Sequence, residues 1–223
     1  MTGSSLAAVA ALALMLGAMR VAAAPAPPTP PPTPTVPPAT TTAMAGSTGA
    51  EPQVLLGPIR REQVEAAVPA WVQAGVASKI DRDAAKALTA VAPGAEVTVL
   101  LGTWCSDSRR EISRLWRAFD EVGADAGGGP GSGLPFTLHY IGVDETKQQP
   151  AAAVAAAGLL YVPTLIVRRD GREVGRIVES SPHGVEVDLL ALLDGKATGL
   201  LSASANVRAE AAAGSPSPPP HQP

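Results

Sequence analysis

The most constraining stretch of this chain is the point where its hydrophobic period changes. Val97-Thr98-Val99-Leu100-Leu101 is a short β-branched and apolar run, the pattern of a buried strand. Just past Gly102-Thr103-Trp104-Cys105, the residues Ile112, Leu115, Trp116, Phe119 and Val122 recur at three- and four-residue steps. That spacing gives a helix one apolar face and leaves Arg109, Arg110, Glu111 and Arg114 on the rest of its surface. A strand therefore runs directly into a helix, and the only cysteine of the chain, Cys105, sits at the junction.

The flanking patterns extend this unit. Val64, Val68, Trp71 and Val72 predict a helix over Arg61 to Ala74, and Asp81 is placed to cap a second one carrying Ala84, Ala85, Leu88 and Val91. Phe136 to Val143 reads as a second buried strand, and Pro150 to Ala157 as an Ala-rich helix. The glycine-rich stretch between Gly123 and Gly133 lacks the Lys-Ser/Thr ending of a phosphate-binding loop and is a connection. Val162 to Val167 is a strand with Pro163 near its start, where a missing N–H is tolerated. Asp170-Gly171 marks a tight hairpin turn into Glu173 to Val178, and a last helix over Val185 to Leu193 stops at Gly195. Strands and helices in this order predict an α/β fold, a three-layer sandwich with a central mixed β-sheet.

The two ends differ from this middle. Leu6 to Met19 is apolar but short for a membrane span, and Val21-Ala22-Ala23-Ala24 supplies the small residues of a cleavage site, so residues 1–24 read as a secretory signal. No Lys or Arg precedes the run, and Arg20 lies beyond it, where it does not favour a retained anchor. A retained anchor and an unprocessed Ala-rich end stand as the alternatives. The expectation is an exported protein, periplasmic or extracellular, with no stable membrane insertion after processing. Residues 25–50, rich in Pro and Thr, read as a disordered, extended linker. Residues 51–200 hold the folded domain, and 201–223 return to Ala, Ser, Pro and Gln, a composition that predicts a disordered tail.

Charge excludes one class of partner. With 17 Lys and Arg against 20 Asp and Glu, a net charge of -3 gives no footprint for nucleic acid or anionic lipid. His139, His183 and His221 are scattered and no Cys/His spacing is present, so neither a metal site nor a cofactor is expected. Nothing in the pattern orders a base beside Cys105 for hydrolytic chemistry.

VTVLLGTWCSDSRRE, residues 97–111, resembles the strand, Trp-Cys-x-x-Cys turn and helix of the thioredoxin family. YVPTLIVRRDGREVGRI, residues 161–177, resembles the cis-proline strand and hairpin that follow in that family, and a strand reaching Asp144 lies between the two, as it should. The resemblance covers about residues 55–195 and implies a thioredoxin-like fold. It further implies that Pro163 is cis and packed near Cys105, that Val162 offers its backbone to an extended polypeptide, and that Trp104 flanks the site.

The chemistry of such a site follows from its placement. A cysteine at a helix N-terminus faces unpaired N–H groups and the positive end of the dipole, which favour the nucleophilic thiolate. Asp107 in the first turn opposes this by its charge, and Arg109 or Arg110 offsets Asp107 if its side chain folds back. Two positions depart from the family. Ser108 stands where the second, resolving cysteine is found, and a hydroxyl is far too weak an acid to attack a mixed disulfide. Val99 stands where thioredoxins carry a buried aspartate that deprotonates that second thiol. Self-contained dithiol reduction is thereby excluded.

Two functions stay open. One is monothiol exchange or isomerisation of disulfides, with Cys105 and Ser108 as the catalytic pair of positions, Trp104, Val162 and Pro163 contacting substrate, and protein thiols or low-molecular-weight thiols as partners. The other is a binding module that holds extended segments without turnover. Beside both stands the plainer possibility that Cys105 is an inert small hydrophobe. The oligomeric state is not encoded in any pattern.

Overall fold

The computed structural model describes residues 53–126 and 131–213, and the segments expected as signal (1–24) and linker (25–50) lie outside them. The run at 97–101 forms a strand, Ala95–Leu101 (β2), preceded by a short strand Gly57–Ile59 (β1) that its three-residue length left without a periodic signal. After β2 comes the long helix Ser106–Glu121 (α4), then strand Thr137–Gly142 (β3) and helix Ala151–Ala157 (α5). Strands Thr164–Arg169 (β4) and Arg172–Val178 (β5) form the hairpin, with Asp170 and Gly171 both at positive φ, 53° and 73°, as the Asp-Gly turn requires. Helix Val185–Leu193 (α6), strand Gly199–Leu201 (β6) and helix Ala205–Ala213 (α7) complete the described chain.

The six strands make one mixed sheet in the order β1-β3-β2-β4-β5-β6. β2 is parallel to β3, with Val99 opposite Tyr140, and antiparallel to β4, with Val99 opposite Leu165. Alternation along β2 sends Val97, Val99 and Leu101 into one buried cluster and Leu100 into another, so helices cover both faces of an α/β fold.

The expected helix over 61–74 is two helices, Arg61–Ala67 (α1) and Ala70–Ala77 (α2). Pro69 explains the break, because the residue before proline avoids the helical region, and Val68 takes φ -138° and ψ 83°. The helix Arg82–Leu88 (α3) is capped as the sequence predicts, Asp81 Oδ1 accepting from the Ala84 N–H at 2.9 Å. A second correction concerns the tail. Residues 201–213, expected to be disordered, continue β6 and form α7. Composition missed them because a few anchors suffice: Val207 is buried, Ser202 Oγ donates to the Val178 carbonyl at 2.8 Å, and the Ala203 N–H donates to Ser180 O at 2.7 Å.

The larger cluster is built around aromatic rings. Trp71 and Trp116 lie 5.4 Å apart, Trp116 meets Tyr140 edge-on at 5.8 Å, and the Trp116 indole N–H donates to the Tyr140 oxygen at 2.9 Å. Burial pushes the Tyr140 hydroxyl well above its ordinary range, the Trp116 donor opposing it in part. One buried carboxylate ties three helices together. Glu186, fully enclosed on α6, accepts from Arg114 Nε and Nη2 on α4 at 2.8 and 2.7 Å and from the Asp81 N–H ahead of α3 at 2.7 Å. Gly184 makes room for that pair, since a Cβ there would collide with the Arg114 guanidinium. Among the described residues, no helix is long and apolar enough to cross a membrane.

Candidate functional site

At the carboxyl end of β2 the chain turns into α4 through Gly102, Thr103, Trp104 and Cys105, the last of which is the N-cap. Its φ of -85° and ψ of 128° are extended, so the side chain folds back over the first helical turn. Sγ accepts from the Ser108 N–H at 3.5 Å, taking the place of a serine or aspartate cap oxygen. The thiol in turn donates to the Val162 carbonyl at 3.5 Å. Cys105 is a free thiol and is only partly buried, so it is neither enclosed in the core nor spent in a disulfide.

The Val162-Pro163 bond is cis, as is Gln149-Pro150. Val162 itself is buried, and its side chain belongs to the smaller apolar cluster with Leu100, Val143, Ala157, Leu159 and Ile166, against which Trp104 and Cys105 pack. The Pro163 carbonyl is held by the Glu179 N–H at 2.7 Å. Glu179 sits at φ 64°, an uncommon conformation for a residue with a side chain, and no sequence pattern pointed to it.

Trp104 is held in one place. Its indole N–H donates to the Val143 carbonyl at 3.1 Å, and its ring lies so close over Gly102 that a Cβ there would come within 2.5 Å of it. Gly102 is thus needed for close approach. Thr103 faces the other way, its hydroxyl donating to Gln53 O at 2.6 Å and accepting from the Leu55 N–H at 3.3 Å, which ties the strand leading into β1 to the turn.

Ser108 is placed beneath the thiol, fully buried, with Oγ accepting from the Gly102 N–H at 3.2 Å. Its hydroxyl closes the turn. The structure therefore brings Trp104, Cys105, Val162 and Pro163 to one place and sets Ser108 under them, where it orders backbone.

Asp107 is engaged by Arg110 at 2.6 Å, so of the two arginines considered it is Arg110 that folds back. Burial acts to lower the Arg110 guanidinium, and the hydrogen bonds it donates to Asp107 and Glu111 outweigh it, holding the group above its ordinary range. Arg110 also donates to Ser180 Oγ at 3.2 Å, linking α4 to the loop that carries Glu179. Val99 is fully buried in the larger cluster among apolar neighbours. Among the described residues no group of three or more His, Cys, Asp and Glu side chains is arranged to hold a metal ion.

No family model matches the chain, and no curated protein matches it. Among solved structures, a protein of unknown function from Pseudomonas aeruginosa is 15% identical, with a TM-score of 0.42 over 60% of this chain and 86% of that one. An HIV epitope-scaffold is likewise 15% identical, with a TM-score of 0.42 over 60% of this chain and 87% of its own.

Proposed function

We propose that the chain is an exported thioredoxin-like protein that takes part in thiol–disulfide exchange as a monothiol, through Cys105. The observation that carries this reading is the approach of a partly exposed sulfur, set at the head of α4, to within 3.5 Å of the Val162 carbonyl beside Pro163. A helix N-terminus supplies N–H groups to a thiolate, and a backbone edge next to it can pair with an extended polypeptide.

The chemistry is a pair of displacements. The Cys105 thiolate attacks one sulfur of a disulfide R–S–S–R′, forms Cys105–S–S–R, and R′ leaves as its thiolate. A second thiol from outside then attacks the mixed disulfide, carries away R as a new disulfide, and restores Cys105. No electrons are gained or lost overall, so the cycle isomerises or exchanges without a reductant. Ser108 is no resolving group, since its hydroxyl is buried and engaged with Gly102.

The same burial of Ser108, and the apolar, fully buried Val99 on β2, favour a second reading, a module that holds extended segments without turnover. The two part on one measurement. Full-length protein is mixed with a chromogenic aryl disulfide. Exchange predicts one aryl thiolate released per chain, a Cys105 adduct by mass, and its loss on adding a small thiol. An unreactive Cys105 in folded protein removes the exchange reading and leaves the holding module. Ser108→Cys should further gain an internal disulfide with Cys105, read as the loss of both free thiols on mild oxidation; two free thiols persisting would show that positions 105 and 108 are wrongly paired.

A further inference from the structure

Behind the Val162-Pro163 segment, between α7 and the strands β4 and β5, lies a cavity of about 150 Å³. Leu160, Tyr161, Val178, Leu200, Val207 and Glu210 are among the residues that line it. A void of that size accepts an apolar body as large as benzene, and therefore a chain of four methylenes. Its entrance is unusually apolar for a surface, with Leu160 66% and Leu200 38% exposed.

The cavity is lined by one carboxylate, Glu210, and one cation, Arg176, whose charge is already met by Glu173. Glu210 and Tyr161 line the cavity together, and the Tyr161 hydroxyl is raised above its ordinary range chiefly by Glu210, with Glu179 acting in the same direction. Neither carboxylate forms an ion pair with a Lys or Arg among the described residues. Arg176, in the lining, and Arg208, on α7, are both occupied. Arg176 is held by Glu173 at 2.6 and 2.7 Å and by the Ala157 carbonyl at 2.9 Å, and Arg208 donates to the carbonyls of Ser202 and Ala203 at 2.9 and 2.6 Å.

We propose that this cavity is a specificity subsite for a basic residue, lysine or arginine, of a polypeptide held at Val162, with the aliphatic stem in the cavity and the cation at Glu210 and Glu179. The inference rests on the reading of Val162 as a polypeptide-binding edge. Tyr161 and Thr164, which flank Val162 and Pro163, both line the cavity, so the void and the Cys105 sulfur address the same short stretch of backbone from two sides. A long basic side chain suits such a place because its stem is apolar and its end is charged. An acidic side chain is repelled, and an uncharged one leaves both carboxylates without a counter-charge.

The test uses synthetic peptides with one cysteine activated as its thionitrobenzoate disulfide. They carry lysine, norleucine or glutamate at the second and third positions on both sides. The Cys105 sulfur displaces thionitrobenzoate from the peptide cysteine, and its release by the full-length protein gives the rate. The lysine peptide should react about 5-fold faster than norleucine at low salt, the scale of a partly exposed ion pair, with glutamate slowest. Glu179→Gln together with Glu210→Gln should bring lysine and norleucine to one rate.

A second arm measures binding of dye-labelled, unactivated peptides to the full-length Cys105→Ser variant by fluorescence anisotropy, and the same order of affinities is expected. Equal rates and equal affinities for lysine and norleucine, or a lysine preference that survives both substitutions, overturn the subsite. A lysine preference in binding with no thionitrobenzoate released by any peptide overturns exchange instead and leaves the subsite standing.

Discussion

The two faces of the sheet are packed to different standards. On the α4 face, Trp71, Trp116, Phe119, Leu88 and Leu115 interlock in a cluster that reaches from Ile59 to Leu193. On the α5 face, only Leu100, Val143, Ala157, Leu159, Val162 and Ile166 form a buried group, with Trp104 and Cys105 at its margin. The first cluster holds the large rings and the buried Glu186 ion pair beside it; the second holds small and branched side chains under the thiol. Stability is therefore concentrated on the face away from Val162, and Cys105 and Trp104 rest on a thin layer of small and branched side chains.

The largest effect expected from that difference is Trp116→Ala. The indole is buried, packed at a tilt against Trp71 and bonded to Tyr140, and it lies under the Arg61 guanidinium at 5.5 Å. Its truncation should cost about 4 kcal/mol in denaturant unfolding, in line with other buried aromatic deletions. A loss under about 1 kcal/mol would show that the α4 face is not where the stability lies. A smaller effect is expected at the site. Gly102→Ala places a Cβ within 2.5 Å of the Trp104 ring, so the indole must move and lose its bond to the Val143 carbonyl. A cost of about 2 kcal/mol, with Trp104 becoming accessible to a fluorescence quencher, follows from overpacking at one point. Unchanged quenching would mean that the ring does not depend on the glycine.

The site was legible where chemistry and periodicity coincided. The strand-to-helix junction placed Cys105 at the start of the helix because a strand pattern gave way to a period near 3.6, and the structure makes it the N-cap; Asp170-Gly171 named its own turn. The segments that escaped were those too short to carry a period. β1 and β6 have three residues each, and α7 buries Val207 alone, so their order comes from hydrogen bonds to distant backbone. The helix over 61–74 was misread by passing through Pro69, whose effect on the preceding residue outweighed an apolar spacing that continues across it. At the site, Ser108 could be placed in the first turn of the helix, but its bond to Gly102 and the hold of Glu179 on Pro163 could not be read. The first depends on the path of a single turn and the second on segments brought together by the β4–β5 pairing, and neither leaves a periodic mark in the sequence.

The smallest effect separates the two faces most cleanly, because it compares one chemical change made in each. Ile177 and Ile166 are both buried to about 1% exposure, Ile177 in the large cluster and Ile166 in the small one. Ile→Val at either removes one methylene and should cost about 1 kcal/mol. Stability alone will not tell them apart. Their consequences for the thiol should differ, since Ile166 packs in the group that contains Val162, while Ile177 packs with residues of the α4 face. Under native conditions the alkylation rate of Cys105 by a maleimide should change by about 2-fold or more in Ile166→Val and stay at the parent value in Ile177→Val. A difference of 2-fold corresponds to about 0.4 kcal/mol, less than the stability lost, so relaxation of the small cluster is enough to supply it. Equal alkylation rates in the two variants would mean that the Cys105 sulfur is positioned by α4 alone and that the α5 face contributes nothing to it.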